Sequence, residues 1–299
     1  MPLWISITIA AAFLQNARSA LQRALKGRLS GSGPSFVRFG YGLPFALLYW
    51  AALHAAHEAT PGLNGAWAGY GALAAVAQIL ATVALLASFS YGSFAVGTAY
   101  SKTEPLLAAV FGVVLLGDAV TPLAGLAIVI GIAGVALMTL TGAQNTAATG
   151  DPVRTAALGI LAAALFGISA VGYRAASLSL PEGGFLIRAA VTLAAATAFQ
   201  TVLMALWMMW REPGALAAVA RAWRPGLAVG FCGAAASAGW FTAMTIEPAA
   251  HVRALAQIEL LFTFAASILM FRERPSVREI LGAVLVIAGV VLLLRATAF

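Results

Sequence analysis

The feature that most constrains this chain is an internal repeat. Residues 99–137 align with 254–292 at a constant offset of 155 without a gap, and ten of the 39 positions are identical. Among the identities are Glu104 with Glu259 and Ile132-Ala-Gly-Val135 with Ile287-Ala-Gly-Val290. A duplicated half in a hydrophobic chain points to a transporter whose substrate path lies between the halves.

Hydrophobicity confirms the solvent. With 62% hydrophobic and only 9% charged residues, the chain lacks the roughly one-quarter charged fraction of a water-soluble domain. A bilayer core needs about 20 apolar residues per helical span, and apolar runs lie at about 3–25, 35–56, 66–90, 93–116, 122–141, 155–178, 184–210, 225–246, 249–271 and 277–295. Their breaks carry the Gly and Pro expected of helix ends, as in Thr60-Pro-Gly62, Pro181-Glu-Gly-Gly184 and Arg272-Glu-Arg-Pro275. The reading is an all-α membrane protein of ten transmembrane helices: a first five-helix repeat at 1–141, a connecting loop at 142–154 and a second five-helix repeat at 155–299.

Weaker matches extend the repeat to earlier spans, Arg23-Ala24 over Arg174-Ala175 and Phe36-Val-Arg38 over Leu186-Ile-Arg188. Five spans per copy is an odd number, so the second copy enters the membrane from the opposite side and the repeats are inverted around a central cavity. Met1-Pro-Leu-Trp4 has no basic n-region, so the first run is expected to be a retained span and not a cleaved signal.

Basic residues are sorted between the connections. Those after odd-numbered spans hold Arg23, Lys26, Arg28, Arg154, Arg211, Arg221, Arg224, Arg272, Arg274 and Arg278, whereas those after even-numbered spans hold only acids, Glu58, Asp118, Glu182 and Glu247. The positive-inside effect then places the odd connections in the cytoplasm. The same sorting explains the +7 formal charge without nucleic acid as a partner. A lone Cys232 excludes an intramolecular disulfide and a cysteine-based metal cluster; no cofactor or metal is expected.

Charges inside spans are costly, about 2.5–3.5 kcal/mol each on insertion scales, and mark sites of function or bracing. Span 1 carries Gln15, Asn16 and Arg18; span 4 carries Lys102 and Glu104; span 9 carries His251, Arg253, Gln257 and Glu259; Arg38 and Arg188 lie about a turn inside spans 2 and 7. On a continuous α-helix Lys102 and Glu104 are about 200° apart, so one faces the cavity and the other a neighbouring helix. Substrate-cavity candidates are Asn16, Arg18, Thr98, Tyr100, Lys102, Arg253 and Gln257. Arg38, Glu104, Arg188 and Glu259 are structural or coupling charges: either each glutamate braces its half against Arg18, Arg38 or Arg188, or one of them carries a coupling proton. Small residues Gly131, Gly134, Gly282 and Gly289 on spans 5 and 10 permit close helix approach.

The stretch Ser101-Lys-Thr-Glu-Pro-Leu-Leu-Ala-Ala-Val-Phe-Gly-Val-Val-Leu-Leu-Gly-Asp118, leading to Pro122 and a Gly-rich span, resembles the EamA branch of the drug/metabolite transporter superfamily. Its second copy is similar, opening on Glu259-Leu-Leu-Phe-Thr-Phe264 and closing on Phe271-Arg-Glu-Arg-Pro275. The resemblance implies a ten-helix basket, alternating access, and export of amino acids or related carboxylate-bearing metabolites across a bacterial inner membrane. The alternative is a lipid-headgroup flippase or an accessory membrane subunit of the same fold. Expected partners are a small-molecule substrate, the lipid bilayer and protons as the candidate coupling ion, with the chain a monomer or weak homodimer. No paired carboxylates or Ser/His set at catalytic spacing points to an enzyme.

Overall fold

A computed structural model describes residues 2–25, 29, 31–56, 59–91, 97, 100–141, 151–262 and 277–296. Every regular element among them is helical. Five helices are long and apolar enough to cross a membrane, Gly33–Ala55, Gly65–Ser88, Val153–Ser179, Phe185–Arg211 and Trp223–Ile246, and three shorter apolar ones accompany them, Glu104–Leu116, Pro122–Leu137 and Ile280–Ala296. Their outward faces are apolar, with Leu48, Val202 and Val114 at 64%, 57% and 73% exposure. Such surfaces suit lipid, and the chain is an integral membrane protein.

Contacts gather the chain into two compact units, each drawing on both halves of the sequence: 1–75 with 172–246, and 76–171 with 247–299. The first contains α1 (Leu3–Leu25), α2 (Gly33–Gly40), α3 (Leu43–Ala55), the start of α4 (Gly65–Tyr91), the end of α7 (Pro152–Ser179), α8 (Phe185–Arg211), α9 (Ala215–Arg221) and α10 (Trp223–Ile246). The span expected at 35–56 is divided at Tyr41–Gly42 into α2 and α3. Pro44 in the first turn of α3 has no N–H to donate to the preceding turn, so the ladder restarts there. Alanines let helices close around two aromatic rings in this unit: Ala46, Ala74, Ala75, Ala189 and Ala196 surround Tyr173 and Phe241, whose centroids are 4.4 Å apart. Gln200 Nε2 donates to Ala75 O and to the Tyr173 hydroxyl, both at 3.2 Å, which satisfies a buried amide.

The second unit contains the rest of α4 and α7, with α5 (Glu104–Leu116), α6 (Pro122–Thr141), α11 (Ala249–Leu255), a 3-10 turn Ala256–Ile258 that resumes as helix over 259–262, and α12 (Val277–Ala296). Its backbone seam is α6 against α12. A Cβ on Gly134 would lie 2.7 Å from Gly282 O and Val286 N, and one on Gly289 would lie 2.8 and 2.9 Å from Gly131 N and Ala127 O. Gly134 and Gly289 are repeat mates at offset 155, and so are the pairs they meet, 127 with 282 and 131 with 286. The seam is therefore two-fold symmetric, with antiparallel helices in contact where only glycine allows it.

Candidate functional site

Both copies of the repeat break their helix at the same place. In the first, a turn at Lys102–Thr103 precedes α5, which starts on Glu104 with Pro105 in its first turn. In the second, the 3-10 turn Ala256–Ile258 precedes Glu259, and 256–258 minus 155 is 101–103. Thr103 N and Oγ1 both donate to Tyr100 O, at 3.2 and 2.8 Å, and tie off the first break. Discontinuous helices at membrane depth free backbone and side chains for ionic contacts.

The breaks carry a ladder of ion pairs. Arg253 donates Nε to Glu104 Oε1 at 2.5 Å and Nη2 to Glu104 Oε2 at 2.8 Å, a bidentate grip. Lys102 Nζ pairs with Glu259 Oε1. Gln257 Nε2 donates to Lys102 O at 3.3 Å, and its Oε1 lies 2.9 Å from where a Gly131 Cβ would sit. The Glu104 carboxylate at the start of α5 and Arg253 in the last turn of α11 also match the charge each helix end favours. Two cations and two carboxylates cancel, and Arg253 and Glu104 keep only 20% and 11% of their side-chain surface.

Two sequence expectations are corrected here. As braces, Glu104 and Glu259 were expected to meet Arg18, Arg38 or Arg188; among the described residues Glu104 pairs with Arg253 and Glu259 with Lys102, each on the opposite repeat. The 200° separation of Lys102 and Glu104 assumed an unbroken helix, and the turn at 102–103 lets both take part in one ladder. Thr98 lies outside the described residues. Tyr100 is half-buried, with its Cβ against Gly159. The void beside Gln257 is about 10 Å³, about the size of one water.

The remaining expected residues belong to the first unit. Gln15 Oε1 accepts a bond from Trp240 Nε1 at 3.1 Å, next to half-buried Asn16. Arg18 Cδ and Arg38 Cγ converge on Gly233 of α10, 3.4 and 3.5 Å from the position a Cβ would take. Arg188 Nε is buried with no hydrogen bond among the described residues. Arg174 Nη1 donates to Met244 O at 2.8 Å. The helical segments of this unit hold these four arginines inside the spans and contain no Asp or Glu.

A family model described as the EamA-like transporter family matches residues 2–140 and, a second time, 153–295. The chain belongs to the EamA-like transporter family. It is thus a membrane transporter of the drug/metabolite transporter type. A solved crystal structure, titled only as the structure of a protein, resembles this EamA-like chain at a TM-score of 0.71 and 16% identity over 97% of this chain and 95% of that one; the likeness is one of fold. No curated protein matches the sequence.

Sequence reading of this EamA-like protein missed three polar contacts. His251 Nδ1 lies 2.6 Å from Glu247 Oε1 while its Nε2 is buried with no hydrogen bond among the described residues; the i,i+4 spacing was a usable signal. Glu212 binds Ser32 N at 2.9 Å and Ser32 Oγ at 2.7 Å, a contact 180 residues long that no local pattern announces. The Tyr41 hydroxyl donates to Val219 O at 2.9 Å.

Proposed function

We propose that this protein exports amino acids or related carboxylate-bearing metabolites by alternating access across a bacterial inner membrane, as a ten-helix secondary transporter with its odd-numbered connections cytoplasmic. The observation that carries the substrate class is the charge count of the first unit: Arg18, Arg38, Arg174 and Arg188 within helices that have no acidic residue. Arg18 and Arg38, brought together beside Gly233, receive the substrate carboxylate. Guanidinium is suited to this because its planar donors match a carboxylate bidentately.

The ladder of the second unit acts as a brace. A carboxylate held by a bidentate guanidinium already has its charge and lone pairs engaged, which favours a structural over a proton-carrying role for Glu104; Glu259 is read the same way through Lys102. Protons remain the proposed coupling ion, carried elsewhere than on this ladder. Counterflow in proteoliposomes loaded with a panel of amino acids and their amides tests the reading: carboxylates should exchange and amides should not. Equal exchange of amides, or movement of labelled headgroup lipid in place of amino acids, would contradict it.

A further inference from the structure

The end of the first unit where α8, α9 and α10 meet is cationic. Arg211 closes α8, Arg221 closes α9, and Arg224 lies in the first turn of α10; all three are exposed. None has an ion pair among the described residues. Arg211 lies over Trp210, 4.0 Å from its ring centroid, and Arg224 over Trp223 at 5.3 Å, while Arg221 Nε reaches only its own helix, Ala217 O at 3.3 Å. The nearest acid in sequence, Glu212, is turned onto Ser32 and pairs with none of these arginines among the described residues.

Between Arg221 and Arg224 the surface is hollowed. A depression of about 330 Å³ is lined by Ala218, Arg221, Ala222, Trp223, Arg224 and Pro225. At this end α8 and α10 also expose apolar side chains: Trp207, Met209 and Trp210 on α8 at 50%, 59% and 70% exposure, and Leu227 and Phe231 on α10. Tryptophans at this level mark the headgroup region, and arginine stacked on an indole keeps its edge N–H donors free for phosphate.

We infer that the Arg221–Arg224 depression binds the phosphate of an anionic phospholipid from the surrounding leaflet, with the acyl chains lying along the exposed faces of α8 and α10. Charge complementarity selects an anionic over a zwitterionic headgroup, and the exposed apolar side chains of α8 and α10 select a lipid over a soluble phosphate. The inference is independent of the substrate proposed above.

Native mass spectrometry of the full-length protein, delipidated in mild detergent and titrated with phosphatidylglycerol or phosphatidylcholine, tests it. Each surface arginine accounts for about five-fold in affinity for anionic lipid, so Arg221→Gln with Arg224→Gln should weaken phosphatidylglycerol binding about twenty-five-fold. Phosphatidylcholine retention should not change. Arg221→Lys with Arg224→Lys keeps the charge and should retain most of the preference, which separates loss of the site from loss of fold. Arg154→Gln, a surface arginine already paired with Asp151, should bind as wild type. Equal retention of the two lipids by the wild type, an unchanged preference in the double glutamine variant, or displacement of phosphatidylglycerol by millimolar inorganic phosphate would overturn the inference.

Discussion

Arg253 holds both carboxylate oxygens of Glu104, at 2.5 and 2.8 Å, and thereby joins span 9 to span 4 across the two sequence repeats. Removing one partner of such a pair leaves an uncompensated charge out of water. Arg253→Met is expected to destabilise the protein by about 3–5 kcal/mol. Glu104→Leu added to it should recover much of that loss, because two apolar side chains then meet. Thermal unfolding of the four proteins of this cycle, followed by fluorescence-detected size exclusion, checks the sign of the coupling.

The α6–α12 seam yields a sharper contrast between glycines. Gly134→Ala and Gly289→Ala place a methyl against backbone atoms that cannot swing aside, at a cost of about 1–3 kcal/mol each. Gly125 on the same helix α6 has nothing within 4 Å of its missing Cβ, and Gly125→Ala should change stability by less than about 0.5 kcal/mol. Equal losses at the three positions would remove the symmetric seam as the reason these helices pack.

Glu212 anchors the start of α2 from 180 residues away. Ser35 N and Phe36 N both bond Ser32 O, at 3.1 and 2.9 Å, so the carboxylate on Ser32 indirectly fixes this first turn. Glu212→Ala loses charge-assisted bonds worth about 1.5–3 kcal/mol. Hydrogen exchange at Ser35 and Phe36 should quicken while the α6–α12 seam keeps its protection.

For transport, the carboxylate reading makes Arg18 and Arg38 the sensitive positions. Arg18→Gln or Arg38→Gln should raise KM about ten-fold or more, the loss of a charge-assisted bond, with little change in unfolding temperature. Arg18→Lys keeps the charge without the planar fork and should fall between. Concentration dependence of uptake, measured alongside thermal stability, distinguishes this from a folding defect.

What was legible in the sequence follows from how local the cause is. Apolar runs and Gly/Pro breaks mark the helices because lipid acts on every residue of a span, and the offset of 155 marks Gly134 and Gly289 because the seam they form is itself symmetric. The partners of Glu104 and Glu259 were not legible. They depend on a helix break at 102–103 that a periodicity argument treats as continuous, although Glu104-Pro105 signalled it in the first copy; the second has Leu260 where the proline would stand. Short α9 went unseen as well, since seven residues between Gly214 and Ala222 are too few to show a helical period.

The most direct measurement is counterflow of a labelled amino acid into proteoliposomes containing the purified wild-type protein and, in parallel, the Arg18→Gln/Arg38→Gln variant. Exchange should be driven by internal amino acid, left undiminished when its amide is the competing solute, and strongly weakened in the variant while the protein stays folded. Equal competition by amide and acid, or a variant that exchanges as well as wild type, would contradict it.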